Sequence, residues 1–180
     1  MDDDATNATP GPHAAADENP EQAGEILKFW EAARPSAGIG RIGVVIGTGV
    51  RESVPPPAWS FGDNPELADT LLAAVLSGAK TATSSSLWEY GDDTPVPEKD
   101  ELSILLDGAG HPRALVRTTS VEVVPFDQVD DTFALAEGED DGSLESWREG
   151  HRQYFARVLG RDVPDDMPVV CERFELRYPH

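Results

Sequence analysis

Residues 63–78 fix one helix firmly, and that helix constrains what lies on either side of it. Asp63-Asn64-Pro65-Glu66 combines a capping acid, a proline in the first turn and a glutamate three residues after the cap. Such a pattern starts a helix because it satisfies backbone N–H groups that have no partner of their own. Leu67, Leu71, Leu72, Val75 and Leu76 then recur at helical spacing until Gly78, where glycine enters the left-handed cap conformation without a steric cost. Four strand-like runs follow, over 81–90, 102–106, 113–124 and 169–178, with Asp107-Gly108-Ala109-Gly110 as a hairpin turn. Helical periodicity returns over 126–136 and 143–159, the second with Leu144, Trp147, His151, Tyr154, Phe155 and Val158 on one stripe. Strands surrounding a few helices predict an α+β domain around a small mixed barrel.

The 180 residues suffice for one domain with a sizeable core plus a tail. Residues 1–24 hold Asp2, Asp3, Asp4, Asp17, Glu18 and Glu21 with no Lys or Arg and almost no large apolar side chain, so they read as a disordered acidic tail. The single domain is then expected over 25–180. It opens with a short helix marked by Ile26, Leu27, Phe29 and Trp30 that ends before Arg34-Pro35. An irregular connection over 35–57 comes next. Within it, Gly38-Ile39-Gly40-Arg41-Ile42-Gly43 matches a dinucleotide fingerprint literally. No strand precedes it and the following valines open a helix poorly, so a phosphate would lack its helix N-terminus.

The formal net charge is −20. With the six tail acids set aside, 14 basic residues face 28 acidic ones, still −14. That balance opposes sequence-independent binding to a phosphate backbone, which depends on Lys and Arg displacing counterions. Cys171 is the only cysteine, in a strand-like apolar run. It reads as a buried inert thiol in a reducing compartment. No apolar run approaches the ~20 residues of a membrane span, and the acidic N-terminus is unlike a signal peptide. A cytoplasmic location is expected, with no membrane partner; nothing in the sequence sets an oligomeric state.

Chemistry concentrates in Gly78-Ala79-Lys80-Thr81-Ala82-Thr83. Only Lys28, Lys80 and Lys99 are lysines, against eleven arginines. An amine is the cation whose pKa burial can lower, whereas a guanidinium stays charged. A lysine three residues before a threonine, at a glycine-led junction of helix and strand, is a place for proton transfer. A surface amine shielding a helix C-terminus is the plainer alternative.

The order of Phe29-Trp30, Trp59-Ser60-Phe61-Gly62-Asp63, the Lys80 run, Leu87-Trp88-Glu89-Tyr90, Arg117-Thr118-Thr119, Ala136-Glu137-Gly138-Glu139 and Met167-Pro168-Val169-Val170-Cys171-Glu172-Arg173-Phe174 resembles the ASCH superfamily. The resemblance covers about residues 26–178 and implies a PUA-like β-barrel. It further implies a cleft suited to a nucleoside, a modified base or RNA. Some small ASCH proteins are metal-independent amidohydrolases that remove the acyl group of N4-acetylcytidine with a Lys and a Thr in a GxKxxT pattern and a later Glu. On that pattern Lys80, Thr83 and Glu139 would be catalytic, with Glu137 the rival if the register slips by two. Other members are linked to RNA binding or RNA cleavage, so fold alone does not decide the activity.

In such a reaction apolar walls would push the Lys80 amine towards neutrality, so that it takes the Thr83 proton. Thr83 is then the nucleophile or aims a water, and Glu139 orients Lys80 or carries a proton to the leaving nitrogen. Trp88 and Tyr90, two apart on a strand, share a face that either stacks a flat base or packs in the core. Arg117 meets a ligand carbonyl or phosphate, or an acidic neighbour. The histidines at 13, 111, 151 and 180 are scattered and no spacing matches a zinc site, so neither a metal nor a cofactor is expected.

Overall fold

The computed structural model of the protein describes residues 20–38, 54–92 and 94–179. Helix α1 (Pro20–Ala33) leads to a 3-10 turn (Arg34–Ala37). A two-residue strand β1 (Ala58–Trp59) precedes α2 (Pro65–Ser77), which runs into β2 (Ala82–Ser86) and a 3-10 turn (Leu87–Glu89). Strands β3 (Leu102–Leu106) and β4 (Pro112–Pro125) form the hairpin. A 3-10 turn (Phe126–Gln128), α3 (Asp131–Glu137), α4 (Leu144–Leu159) and β5 (Pro168–Tyr178) complete the chain.

The five strands make one mixed sheet in the order β1-β3-β4-β5-β2, with β1 parallel to β3 and every other pair antiparallel. The α+β class is as expected. The barrel is not closed: β1 and β2 remain the two edges, unpaired with each other among the described residues. The register shifts at Leu115/Val116 and Thr118/Ser120 of β4 are irregularities of the kind that bend a strand, so β4 carries one end of the sheet on β3 and the other on β5.

Side-chain alternation gives the β3–β4 hairpin two covered faces. Leu105, Ala114 and Val116 pack with Leu71, Leu72 and Val75 of α2, together with Trp59, Phe61 and Phe174. Ile104, Leu106 and Leu115 pack with Ile26, Trp30 and Ala33 of α1. A third cluster joins Phe133 and Ala134 of α3, Trp147 and Phe155 of α4, and Ala82, Val169 and Cys171 of the strands. Burying each large side chain here contributes about 1.5–3 kcal/mol.

Several expected boundaries move, each for a local reason. Helix α1 starts at Pro20, inside the stretch assigned to the tail, because proline is pre-set for the first helical turn. Residues 1–19 and the fingerprint residues 39–43 lie outside the described residues. Asn64, not Asp63, caps α2, its Oδ1 accepting from the Leu67 N–H at 2.9 Å. Pro65 therefore takes the first helical position, and Asp63 is free to meet Arg157.

The strand expected over 81–90 stops at Ser86, where Ser86 and Glu89 form a capping box that starts a 3-10 turn. The helix expected over 126–136 is a 3-10 turn and a separate α3, because Asp130 caps anew on the Phe133 N–H at 2.8 Å. Cys171 is buried, and burial pushes its thiol up to about 12, which fits an inert side chain. No helix among the described residues is long and apolar enough to cross a membrane.

Candidate active site

Two chain reversals bring the candidate residues together. Gly78 closes α2 in the left-handed conformation, its N–H on the Val75 carbonyl, and the Lys80 N–H returns to the Ala74 carbonyl at 3.1 Å. The tightened end turns the Lys80 side chain inward. From the other side, α3 ends at Gly138, φ +63°. A Cβ on Gly138 would lie 2.2 Å from the Ala79 carbonyl oxygen, so only glycine lets the α3 end approach the Lys80 loop. The Thr81 N–H locks that approach on the Ala136 carbonyl at 2.7 Å.

The result is a buried ionic cluster. The Lys80 Nζ donates to Glu139 Oε1 at 2.6 Å, to Glu137 Oε2 at 3.1 Å and to the Glu137 carbonyl at 3.3 Å. It also stands 5.4 Å from the centre of the Phe61 ring, a favourable place for a cation. Lys80 is 1% exposed, so the surface-amine alternative does not apply. Both carboxylates that competed for the third place are at the lysine, and they differ in surroundings. Glu137 Oε1 accepts from Ser84 Oγ at 2.6 Å and Trp147 Nε1 at 2.8 Å, with His151 Nε2 at 3.5 Å. Glu139 is 28% exposed at its side chain and faces a cavity.

These contacts reverse one expectation. Burial disfavours the Lys80 ammonium, but the charges of Glu137 and Glu139 outweigh it and raise the amine above its ordinary value. The surroundings therefore favour the charged form of Lys80 over the neutral amine expected of it. Burial likewise opposes the Glu137 carboxylate, yet Lys80 and His151 hold it well below the usual carboxylate range. Opposite charges at such distances commonly win over desolvation when hydrogen bonds complete the set.

A cavity of about 260 Å³ opens beside the cluster, lined among others by Phe61, Thr83, Glu139, Trp147, His151 and Tyr154. A smaller annex of about 60 Å³ shares Phe61, Gly62, Thr83, Ser84 and Tyr154 with it. The volume sits just below the usual range for small-ligand pockets, about 300–1,000 Å³. Burial pushes the Tyr154 phenol up to about 12, so it keeps its proton as a potential donor. Lys80 does not line the cavity; it stands behind Glu137 and Glu139. Thr83 does line it, and among the described residues its hydroxyl makes no hydrogen bond to Lys80 or to any other group.

The other expected ligand contacts lie elsewhere. Trp88 sits in the 3-10 turn under the Arg161 guanidinium, 4.0 Å from the ring centre. Tyr90, just after that turn, shares a 2.7 Å hydrogen bond with Ser85. Because the strand has already ended, the two do not share a strand face. Arg117 Nε donates to Glu175 at 2.9 Å, the acidic neighbour rather than the ligand. None of the three lines the cavity.

His151 is the site residue that the sequence reading passed over. A ring nitrogen of His151 and one oxygen each of Glu137 and Glu139 lie within 4.8 Å of one another, a spacing a divalent ion could use. Here the Lys80 ammonium already holds both carboxylates, so an added ion would meet a fixed positive charge. In this arrangement the two carboxylates are taken up by the ammonium.

The family model of the ASCH domain matches residues 57–178. This chain belongs to the ASCH family. The ASCH domain from Lactobacillus crispatus JV V101 is 26% identical with a TM-score of 0.70, over 91% of this chain and 98% of that one. Protein EF3133 from Enterococcus faecalis V583, of the family DUF984, is 32% identical with a TM-score of 0.69, over 85% and 88%. No curated protein matches the sequence. The ionic cluster and the cavity both fall inside the matched ASCH residues.

Proposed function

We propose that this ASCH domain binds an N-acylated nucleoside or base in the cavity beside Thr83 and hydrolyses its amide, with N4-acetylcytidine as the representative substrate. The observation that carries this reading is Thr83: it lines a cavity of nucleobase scale, with no protein hydrogen bond at its hydroxyl among the described residues, alongside the partly exposed Glu139 carboxylate. In the first step Thr83 Oγ attacks the acyl carbon as its proton passes to Glu139. The C–N bond then breaks and the amine leaves with a proton. Water cleaves the acyl–threonine ester: one of its protons replaces the one the amine carried off, Glu139 returns its proton to Thr83 Oγ, and the acid is released.

Lys80 acts through the carboxylates it holds. Its charge keeps Glu137 ionised and places positive potential behind the reacting centre, where a developing oxyanion is stabilised. Phe61 and Trp147 supply flat apolar walls to a base.

The PUA-like architecture is of an RNA-binding type and favours a second reading, a module that binds RNA or a nucleotide without chemistry. Its electrostatics are less supportive. Lys80 is buried under two carboxylates, Arg117 is bonded to Glu175, and Arg113 stands 3.8 Å from Asp107.

The test is incubation of the full chain with N4-acetylcytidine while cytidine release is followed by chromatography. Turnover that is lost in Thr83→Ala and in Glu139→Gln supports the hydrolase. A wild-type protein that releases no cytidine, yet binds RNA oligomers with a steep salt dependence, replaces it with the second reading.

A further inference from the structure

The reaction above needs a proton for the departing nitrogen; Lys80 does not reach the cavity to give one, and the proton held by Glu139 is needed again when Thr83 Oγ leaves the ester. His151 does. Its Nδ1 lies 3.0 Å from the Trp147 carbonyl oxygen, one turn back on α4. A carbonyl only accepts, so Nδ1 carries a proton. The ring stacks on the Trp147 indole with centroids 4.3 Å apart, which fixes its plane. Nε2 consequently faces Glu137 Oε1 at 3.5 Å, longer than a good hydrogen bond. A bare nitrogen lone pair would face a carboxylate there, so the arrangement suits a ring protonated at both nitrogens.

We propose that His151 is the general acid of this site, delivering its Nε2 proton to the leaving nitrogen of an amide bound in the Thr83 cavity. The inference rests on the hydrolase reading. The step balances simply: Nε2–H breaks as N–H forms on the leaving amine. The neutral imidazole then recovers a proton from the water that attacks the acyl–threonine ester, and Glu139 returns the one it took to the departing Thr83 Oγ.

The charged groups around the ring agree. Glu137 and Glu139 approach from the end of α3, Lys80 from the loop before β2, and Asp140 and Arg157 lie at the cavity wall. Burial lowers the tendency of His151 to be charged, but the two carboxylates outweigh burial and Lys80 together, so its value rises above 6.5.

Two measurements test the proposal. The full chain has only four histidines, so the His151 ring signal is assigned by its loss in His151→Gln and titrated by NMR. The expected midpoint lies above 6.5; a midpoint at or below 6.5 overturns the proposal even in an active protein.

The second measurement compares His151→Gln on N4-acetylcytidine and on p-nitrophenyl acetate, whose leaving group departs without a proton. The variant is expected to lose ~10²–10⁴-fold on the amide and at least about tenfold less on the ester. Equal losses on both substrates overturn the acid role alone. Absence of wild-type turnover on the amide overturns the hydrolase reading and this step with it.

Discussion

Lys80 and Glu137 face each other at 3.1 Å with 0% and 1% of their side chains open to solvent. An ion pair so placed is held by its hydrogen bonds as much as by its charge, since desolvation opposes it. Glu137 has Ser84, Trp147 and the lysine as donors, and Lys80 has three acceptors. Glu137 is thereby fully occupied, which leaves Glu139 as the carboxylate available to a ligand.

Lys80→Met strands Glu137 as a buried unpaired charge. We expect a loss of about 3–5 kcal/mol in urea unfolding, the usual cost of breaking a buried pair from one side. Lys80→Met/Glu137→Gln together should recover part of it. A single-variant loss under about 1 kcal/mol would mean that the pair is solvated in solution.

Gly138→Ala and Gly78→Ala test how the two chain ends are brought together. Both glycines have positive φ, +63° and +80°, and each substitution costs about 1 kcal/mol in backbone terms. Only at Gly138 would the new Cβ strike backbone, 2.2 Å from the Ala79 oxygen, while nothing lies within 4 Å at Gly78. Gly138→Ala should therefore lower the melting temperature further and move Glu137 and Glu139 off Lys80, reducing turnover. Equal effects of the two substitutions would refute the close approach.

Much of this cluster is legible in the sequence, and the limits have physical causes. The Gly78 stop and the Lys80–Thr83 spacing are local signals, and so is the pair of glutamates flanking Gly138. What the sequence could not supply was the sum of charges at the lysine. A lone Lys80 beside apolar residues is expected to lose its proton; two carboxylates arriving from 57 and 59 residues away in sequence reverse that.

His151 was missed for a similar reason, because its position on an apolar helix stripe looks like packing until Glu137 is placed beside it. The shortened strand at Ser86 did have a local sign, the Ser86–Glu89 capping box, which outweighs the strand propensity of Trp88 and Tyr90. The open sheet was not readable from pattern, since closure depends on whether β1 and β2 meet.

The cluster also predicts how stability changes with pH. His151 is raised above its unfolded value of 6.5, so its stabilising contribution is complete below about pH 6.5 and is lost as pH rises through the folded value. Glu137 is depressed, so its contribution is present above about pH 4.5 and is lost only as pH falls towards its lowered folded value. The difference in urea midpoint between wild type and His151→Gln should therefore shrink from pH 6 to pH 9. A difference that stays flat or grows would contradict the ion pair with Glu137.

Thr83→Ala separates chemistry from architecture. The hydroxyl makes no protein hydrogen bond among the described residues and lines the cavity, so its removal leaves no buried partner unsatisfied. The change in unfolding free energy should stay within about 1 kcal/mol, the span of strand propensity. If Thr83 Oγ forms the acyl ester, turnover of N4-acetylcytidine should fall at least ~10³-fold, as for other nucleophiles removed from an intact site, while the affinity for cytidine is little changed. Thr83→Ser should keep measurable turnover, because it retains the attacking oxygen. A Thr83→Ala protein that turns over within tenfold of wild type would transfer the attack to a water and leave Glu139 as its base.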